Sequence, residues 1–171
     1  MVKSKVRHLF VYGTLMASAS DPVGDKERRF MARSARLLGP VAIAGAMFDM
    51  GACPAAVLLR GQRRSVGEIR GELWALPPEQ TELVALLDRY EGCAQDSPKP
   101  HAYSRSKVRI RLDDGRKVTA WVYVWNQPTA GLKPIPDGRW ISRQCFDPCL
   151  EPDLPTRPPT FGMAPDRKMA A

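Results

Sequence analysis

The chain has 171 residues, 44% of them hydrophobic, and a formal net charge of +8. That length and composition suit one folded domain with a core of its own and exclude a disordered polymer. No apolar run nears the roughly 18 residues of a membrane-crossing helix, and the basic start Met1-Val2-Lys3-Ser4-Lys5 leads into a strand-like run, not a signal-peptide core. The expectation is a cytoplasmic protein with no membrane partner. The positive charge favours contact with something anionic, such as nucleic acid or acidic metabolites, or is simply a soluble basic surface. Cys53, Cys93, Cys145 and Cys149 are scattered, and with His8 and His101 they lack the paired spacing of a zinc site, so no metal is expected.

In chain order, Val6 to Tyr12 is a short apolar run ended by Gly13, the mark of a strand feeding a turn. Asp25 to Ser34 reads as a short helix. Val41 to Met50 is an apolar strand in which Gly45 signals a bulge or a close approach, and Ala55 to Leu59 is another short strand. Gly67 to Leu76 alternates, with Ile69, Leu73 and Ala75 on one face and Arg70, Glu72 and Trp74 on the other. A helix follows, opened by Pro77-Pro78 and closed by Gly92. A hairpin comes next. Val108, Ile110 and Leu112 alternate with cations, Asp113-Asp114-Gly115 makes the turn, and Val118 to Trp125 returns with both faces apolar, so both should be covered. Arg105, Lys107, Arg109 and Arg111 share one face of the first hairpin strand, either solvated or available to an anionic partner. Nine of the 16 prolines lie in the last 46 residues. Proline removes backbone donors and breaks helices and inner strands. The expected organisation is a domain over 1–146 and a proline-rich tail over 147–171. Short, closely spaced strands with little helix imply an α+β fold with a curled sheet or small barrel.

The helix is the informative element. Leu83, Leu86, Leu87 and Tyr90 define its core face. Glu91 lies four residues after Leu87 and eight after Leu83, so one carboxylate at the C-terminal end points where leucines point. Burial and the negative end of the helix dipole both disfavour its charge and raise its pKa. That is how a glutamate becomes able to take and return a proton near neutral pH. Periodicity alone also allows a solvated glutamate at a frayed helix end, or one paired with Arg89 or Arg105. The second piece is Tyr12-Gly13-Thr14-Leu15. A glycine at a strand-to-loop turn lets successive backbone N–H groups converge on a carboxylate or carbonyl oxygen; the same four residues also suit an ordinary turn.

Together these motifs resemble the gamma-glutamylcyclotransferase-like, or avirulence-induced-gene-like, family. Its marks are a strand followed by Tyr-Gly-Ser/Thr-Leu and a helix ending in Leu-Asp-x-x-Glu-Gly. Here they stand as Val11-Tyr12-Gly13-Thr14-Leu15 and Leu87-Asp88-Arg89-Tyr90-Glu91-Gly92. Between them, Leu38-Gly39-Pro40 precedes a strand, Phe48-Asp49-Met50-Gly51-Ala52-Cys53-Pro54-Ala55 is similar to a Tyr-Asp-Leu-Gly-x-Tyr-Pro-Gly stretch, and Gly71-Glu72-Leu73-Trp74 to a Gly-Glu-Leu-Tyr strand. Tyr103-x-Arg105 and Ala120-Trp121-Val122-Tyr123-Val124 follow in the same order. The resemblance runs from about Val6 to Trp140. It departs at Met16-Ala17-Ser18-Ala19-Ser20, where an arginine and glycines are common, and at Cys53, where an aromatic is common.

The resemblance implies a small mixed β-barrel with flanking helices. It implies a reaction in which the α-amine of a γ-glutamyl group attacks its own γ-carbonyl, giving 5-oxoproline and a released amine or amino acid, with no cofactor. Glu91 matches the general acid/base, and Tyr12, Gly13, Thr14 and Leu15 match the loop that grips the glutamyl group. Tyr123 is the next candidate, as a hydroxyl donor to the substrate or an aromatic packed between Trp121 and Trp125; Tyr103 is a weaker candidate of the same kind. The expected partner is a small γ-glutamyl substrate. The oligomeric state stays open. Competing readings are the same site releasing a γ-glutamyl protecting group in secondary metabolism, a non-catalytic binding module of the same fold, and an anion or nucleic-acid binder using strand 105–111. The last lacks any recognisable nucleic-acid motif.

Overall fold

A computed structural model describes residues 6–59 and 67–141. In chain order the elements are β1 (His8–Val11), α1 (Asp25–Ser34), β2 (Arg36–Asp49), β3 (Pro54–Leu58), β4 (Glu68–Ala75), α2 (Thr81–Tyr90), β5 (Tyr103–Arg111), β6 (Lys117–Trp125) and β7 (Lys133–Pro134). They form one mixed sheet in the order β3-β2-β4-β1-β6-β5, with β7 on β2. Every pairing is antiparallel except β1 with β6. The sheet curls until the edge strand β3 contacts β6, which makes an α+β half-barrel with two helices.

Two cores hold this curl. Inside it pack Phe10, Tyr12, Ile43, Met47, Ile69, Leu73, Ile110, Val122 and Trp140. On the other face Leu9, Val11, Leu15, Trp74 and Tyr123 pack beneath the helices, which contribute Met31, Leu83 and Leu87. Successive side chains of a strand point to opposite faces, so β1 sends Phe10 inward and Leu9 and Val11 toward the helices. That double covering is why β1 and β6 are apolar on both faces.

The starts of α2 and β2 shift from the sequence-based boundaries, each for a physical reason. Helix α2 begins at Thr81 after the N-cap Gln80, not at Pro77-Pro78. A residue before proline is driven from helical to extended geometry, so Leu76 and Pro77 stay extended and the Leu76 N–H continues the sheet to Arg7 O at 2.8 Å. Strand β2 starts at Arg36, five residues before Val41, and Leu38-Gly39-Pro40 lies within it. The register shifts between Leu37 and Gly39, where Gly39 has φ 132°; a bulge tolerates a glycine and a neighbouring proline that a regular ladder would not. Gly45 marks the close approach, not the bulge, since a Cβ there would lie 2.8 Å from Val57 O and collide with Ile69. Leu86, assigned to the core face, is half-buried in a groove with Phe30 between the two helices. Trp74, grouped with polar residues on the outer face of β4, is buried because the helices cover that end of the strand.

Among the described residues no helix is long and apolar enough to cross a membrane. The tail expected over 147–171, which contains Cys149, lies outside the described residues, as does Cys145 just before it. A chain ending at Asp147 is expected to keep the thermal unfolding midpoint of the full chain, because proline-dense termini rarely carry core. Circular dichroism melting checks this, and loss of the cooperative transition would make the tail part of the fold.

Candidate active site

The loop after β1 is shaped by close packing. Gly13 sits against the Pro54 ring, and a Cβ at Gly13 would lie 2.6 Å from Pro54 Cγ and 2.9 Å from Cδ. The Met16 N–H donates to Gly13 O at 3.0 Å and closes the turn. The glycine is therefore needed for space. Gly13→Ala is expected to lower stability by about 1–3 kcal/mol, the usual cost of overpacking, because Pro54 opens β3 and its ring cannot swing aside. Urea unfolding checks this; a change below about 0.5 kcal/mol, the scatter of neutral substitutions, would show that the loop yields freely.

The carboxylate is fixed by the way α2 ends. The Cys93 N–H donates to Asp88 O at 2.8 Å and the Gly92 N–H to Arg89 O at 3.1 Å. With Gly92 at φ 65° this is a Schellman ending. It places Glu91 at the C-cap, with its N–H on Leu87 O at 2.9 Å. The Glu-Gly pair thus has a geometric logic: the glycine takes the left-handed turn, and the glutamate is held at the C-cap directly before it.

β1 and β6 run parallel with Leu9 opposite Trp121, which brings Tyr123 level with the end of β1 and beside the loop. A cavity of about 250 Å³ opens there. Its lining includes all seven residues singled out from sequence: Tyr12, Gly13, Thr14, Leu15, Glu91, Tyr103 and Tyr123. It also includes Tyr90, Cys53, Pro54, Ala52 and Val23, which sequence reasoning did not assign to the site. Tyr90 was legible only as a core residue of α2. Its hydroxyl meets Thr14 Oγ1 at 2.7 Å and ties the helix end to the loop.

The cavity's hydroxyls are held by protein. Tyr12 donates to Tyr123 O at 2.6 Å, Tyr103 to Pro54 O at 3.0 Å, and Tyr123 to Asp88 Oδ1 at 2.8 Å. The same Asp88 oxygen accepts from Arg105 Nε at 3.1 Å. Arg105 is thus paired with Asp88, not with Glu91, and Arg89 is exposed. Arg105 also lies over the Trp121 ring at 4.6 Å, with Lys107 at 5.2 Å, so these two cations of the basic strand face cover an aromatic.

Burial pushes the Glu91 carboxyl up from 4.5 to about 8, and the Asp88 charge adds to the push. Burial likewise raises the Tyr12, Tyr103 and Tyr123 hydroxyls and the Cys53 thiol, and takes Tyr90 to about 12. At neutral pH the cavity therefore holds one carboxyl close to its own titration point among protonated neighbours. Among the described residues no group of three or more His, Cys, Asp or Glu could hold a metal ion.

A family model described as gamma-glutamyl cyclotransferase, AIG2-like, matches residues 9–142. Among solved structures, an AIG2-like protein from Mus musculus aligns with TM-score 0.56 and 20% identity over 79% of this chain and 88% of its own. YtfP from Escherichia coli aligns with TM-score 0.51 and 25% identity over 78% of this chain and 96% of its own. YkqA from Bacillus subtilis aligns with TM-score 0.54 and 20% identity over 80% of this chain, which spans only 40% of that protein's length. No curated protein matches the chain.

Proposed function

The chain belongs to the gamma-glutamyl cyclotransferase, AIG2-like family, and from that premise we propose that it cyclises a γ-glutamyl amine or amino acid to 5-oxoproline. The observation that supports this reading above others is Glu91, a carboxyl held near its titration point in the cavity that the Tyr12–Leu15 loop also lines.

In this reading the loop amides hold the glutamyl group by its oxygens, and the cavity keeps it folded. The α-nitrogen attacks the γ-carbonyl carbon. A C–N bond closes the five-membered ring, and the old γ C–N bond breaks. One proton leaves the attacking nitrogen, and one must reach the departing nitrogen. Glu91 carries it, as base in the first half and acid in the second. No electrons change hands, so the reaction balances without a redox partner. Both reacting groups belong to one molecule, so restraining that molecule in a near-attack conformer supplies much of the rate. A carboxyl with a pKa near 8 suits this shuttle, because its two protonation states have similar free energies at working pH.

The direct test is a panel of γ-glutamyl amines and γ-glutamyl amino acids assayed for 5-oxoproline by chromatography. Release from at least one class is expected at a rate above that without protein. Absence of release across the panel, from folded protein between pH 7 and 9, would remove this reading.

A further inference from the structure

We propose that Arg28 is a positioning residue that turns the Thr14–Leu15 peptide so that its N–H faces the cavity, and thereby sets the affinity for the substrate's carboxylate. The inference rests on the proposed reading of the cavity, and it adds a residue that does not line it.

Arg28 lies in the first part of α1, with its side chain only 11% exposed. Its Nη1 donates to Thr14 O at 2.6 Å and to Val23 O at 2.8 Å, and its Nη2 donates to Asp21 O. One guanidinium thus gathers three carbonyls from the two ends of the 14–23 loop. Arginine suits this task because its donors are fixed in a planar fork, whereas lysine offers a single charged point. The nearest carboxylate, Asp25 Oδ1, stands 3.7 Å away, so the backbone oxygens are the closer partners.

The consequence follows from peptide geometry. In a trans peptide the C=O and the following N–H point in opposite directions. With Thr14 O drawn toward Arg28, the Leu15 N–H points away from Arg28. Leu15 lines the cavity, and among the described residues no hydrogen bond uses its N–H. The neighbouring peptide is set in the same manner, since Gly13 O is held by the Met16 N–H, which fixes the direction of the Thr14 N–H. Gly24 makes the approach possible. It has φ 78°, and a Cβ there would lie 2.8 Å from Tyr90 Oη and 3.2 Å from Thr14 O. A larger residue would part α1 from the loop. The cation adds its own field to the two amide dipoles, and all three favour an anion.

The experiment uses the full chain, with glutarate as a dicarboxylate probe followed by the amide shifts of Thr14 and Leu15. In the wild type, glutarate is expected to move both amides at saturable concentration. Arg28→Met is expected to weaken that binding at least tenfold. On a turned-over γ-glutamyl substrate it should raise KM by a similar factor, leaving the pH midpoint of kcat in place. Arg28→Lys should fall between, and added guanidinium should restore part of the Arg28→Met loss. If Arg28→Met does not fold, Arg28→Lys carries the test, with a loss of at least threefold. Affinity within twofold of wild type, or a fall in kcat at unchanged KM, would overturn the proposal. Wild-type amides that glutarate leaves unmoved would overturn it too, even with turnover intact. Glutarate binding without 5-oxoproline release from any γ-glutamyl compound would instead remove the proposed reaction and leave the role of Arg28 standing.

Discussion

Glu91→Gln is expected to lower turnover by about 10²–10⁴-fold or more, the usual range for losing a general acid–base group, while leaving the chain folded and able to bind substrate. The amide has nearly the shape of the carboxyl, so the packing around the α2 terminus survives. The Schellman ending does not involve this side chain, because it is built from backbone groups of Asp88, Arg89, Gly92 and Cys93. What glutamine cannot do is take a proton from the attacking nitrogen and return it to the leaving one. The wild-type rate should rise with pH through the ionisation of Glu91, near 8 in the free protein, and the Glu91 part of this rise should be missing from the variant's residual rate. The substrate's own α-amine titrates in the same region, at about 7.7–8.0 for a model amine, and belongs to the substrate in both proteins. Single-turnover assays and substrate titration separate the two effects. Near-wild-type turnover by Glu91→Gln on a confirmed γ-glutamyl substrate would make the glutamate structural and end the mechanism.

How far the sequence carried this reading depends on which force shaped each feature. Helix α1 and the β5–β6 hairpin were legible because local signals determine them: Asp113-Asp114-Gly115 fixes the turn, and alternation fixes the faces. The direction of Glu91 was legible from helical periodicity, since the C-cap lies one residue past α2 and still obeys its spacing. The start of β2 was not, because Leu38-Gly39-Pro40 looks like punctuation and only pairing with β4 shows it to be a bulge. The strand-to-loop position of Gly13 suggests freedom for the backbone, whereas the structure shows room for the Pro54 ring, a contact made across 41 positions of sequence. Asp88 and Arg28 escaped for the same reason. Nothing near Asp88 in the chain announces Tyr123 or Arg105, and nothing near Arg28 announces the carbonyl of Thr14. Helical spacing leaves its mark in neighbouring residues, whereas a contact between distant segments leaves none in either.

The buried carboxyl also has a consequence for stability that needs no substrate. Between about pH 4.5 and 8 the unfolded chain has lost the Glu91 proton and the folded chain keeps it. Where the folded state binds more protons, stability falls as pH rises. The contribution of Glu91 is therefore fully present below pH 4.5 and is lost as pH rises through about 8. At 1.36 kcal/mol per pKa unit the whole loss is on the order of 5 kcal/mol, an upper figure because Glu91 is only half-buried. Glutamine carries no proton to lose. The difference in unfolding free energy between Glu91→Gln and wild type should thus be small at pH 4.5 and grow by a few kcal/mol in favour of the variant by pH 9. Taking the difference cancels the titration of every group the two proteins share, so far as distant sites act independently. The groups that couple to Glu91 are Asp88 and Tyr90 on α2, Cys93 just beyond, Tyr12 directly after β1, Cys53 before β3 and Tyr103 on β5. The tyrosines and cysteines among them have pKa values raised by burial and stay neutral across this window. Asp88→Asn should accordingly lower the upper end of the transition below pH 8, because it removes the one charge that repels the Glu91 carboxylate. Urea unfolding of the three proteins at half-unit steps from pH 4.5 to 9 measures this directly. A difference between Glu91→Gln and wild type that stays flat across that range would mean that Glu91 ionises like an exposed carboxylate. A proton shuttle tuned by burial would then have no physical basis here.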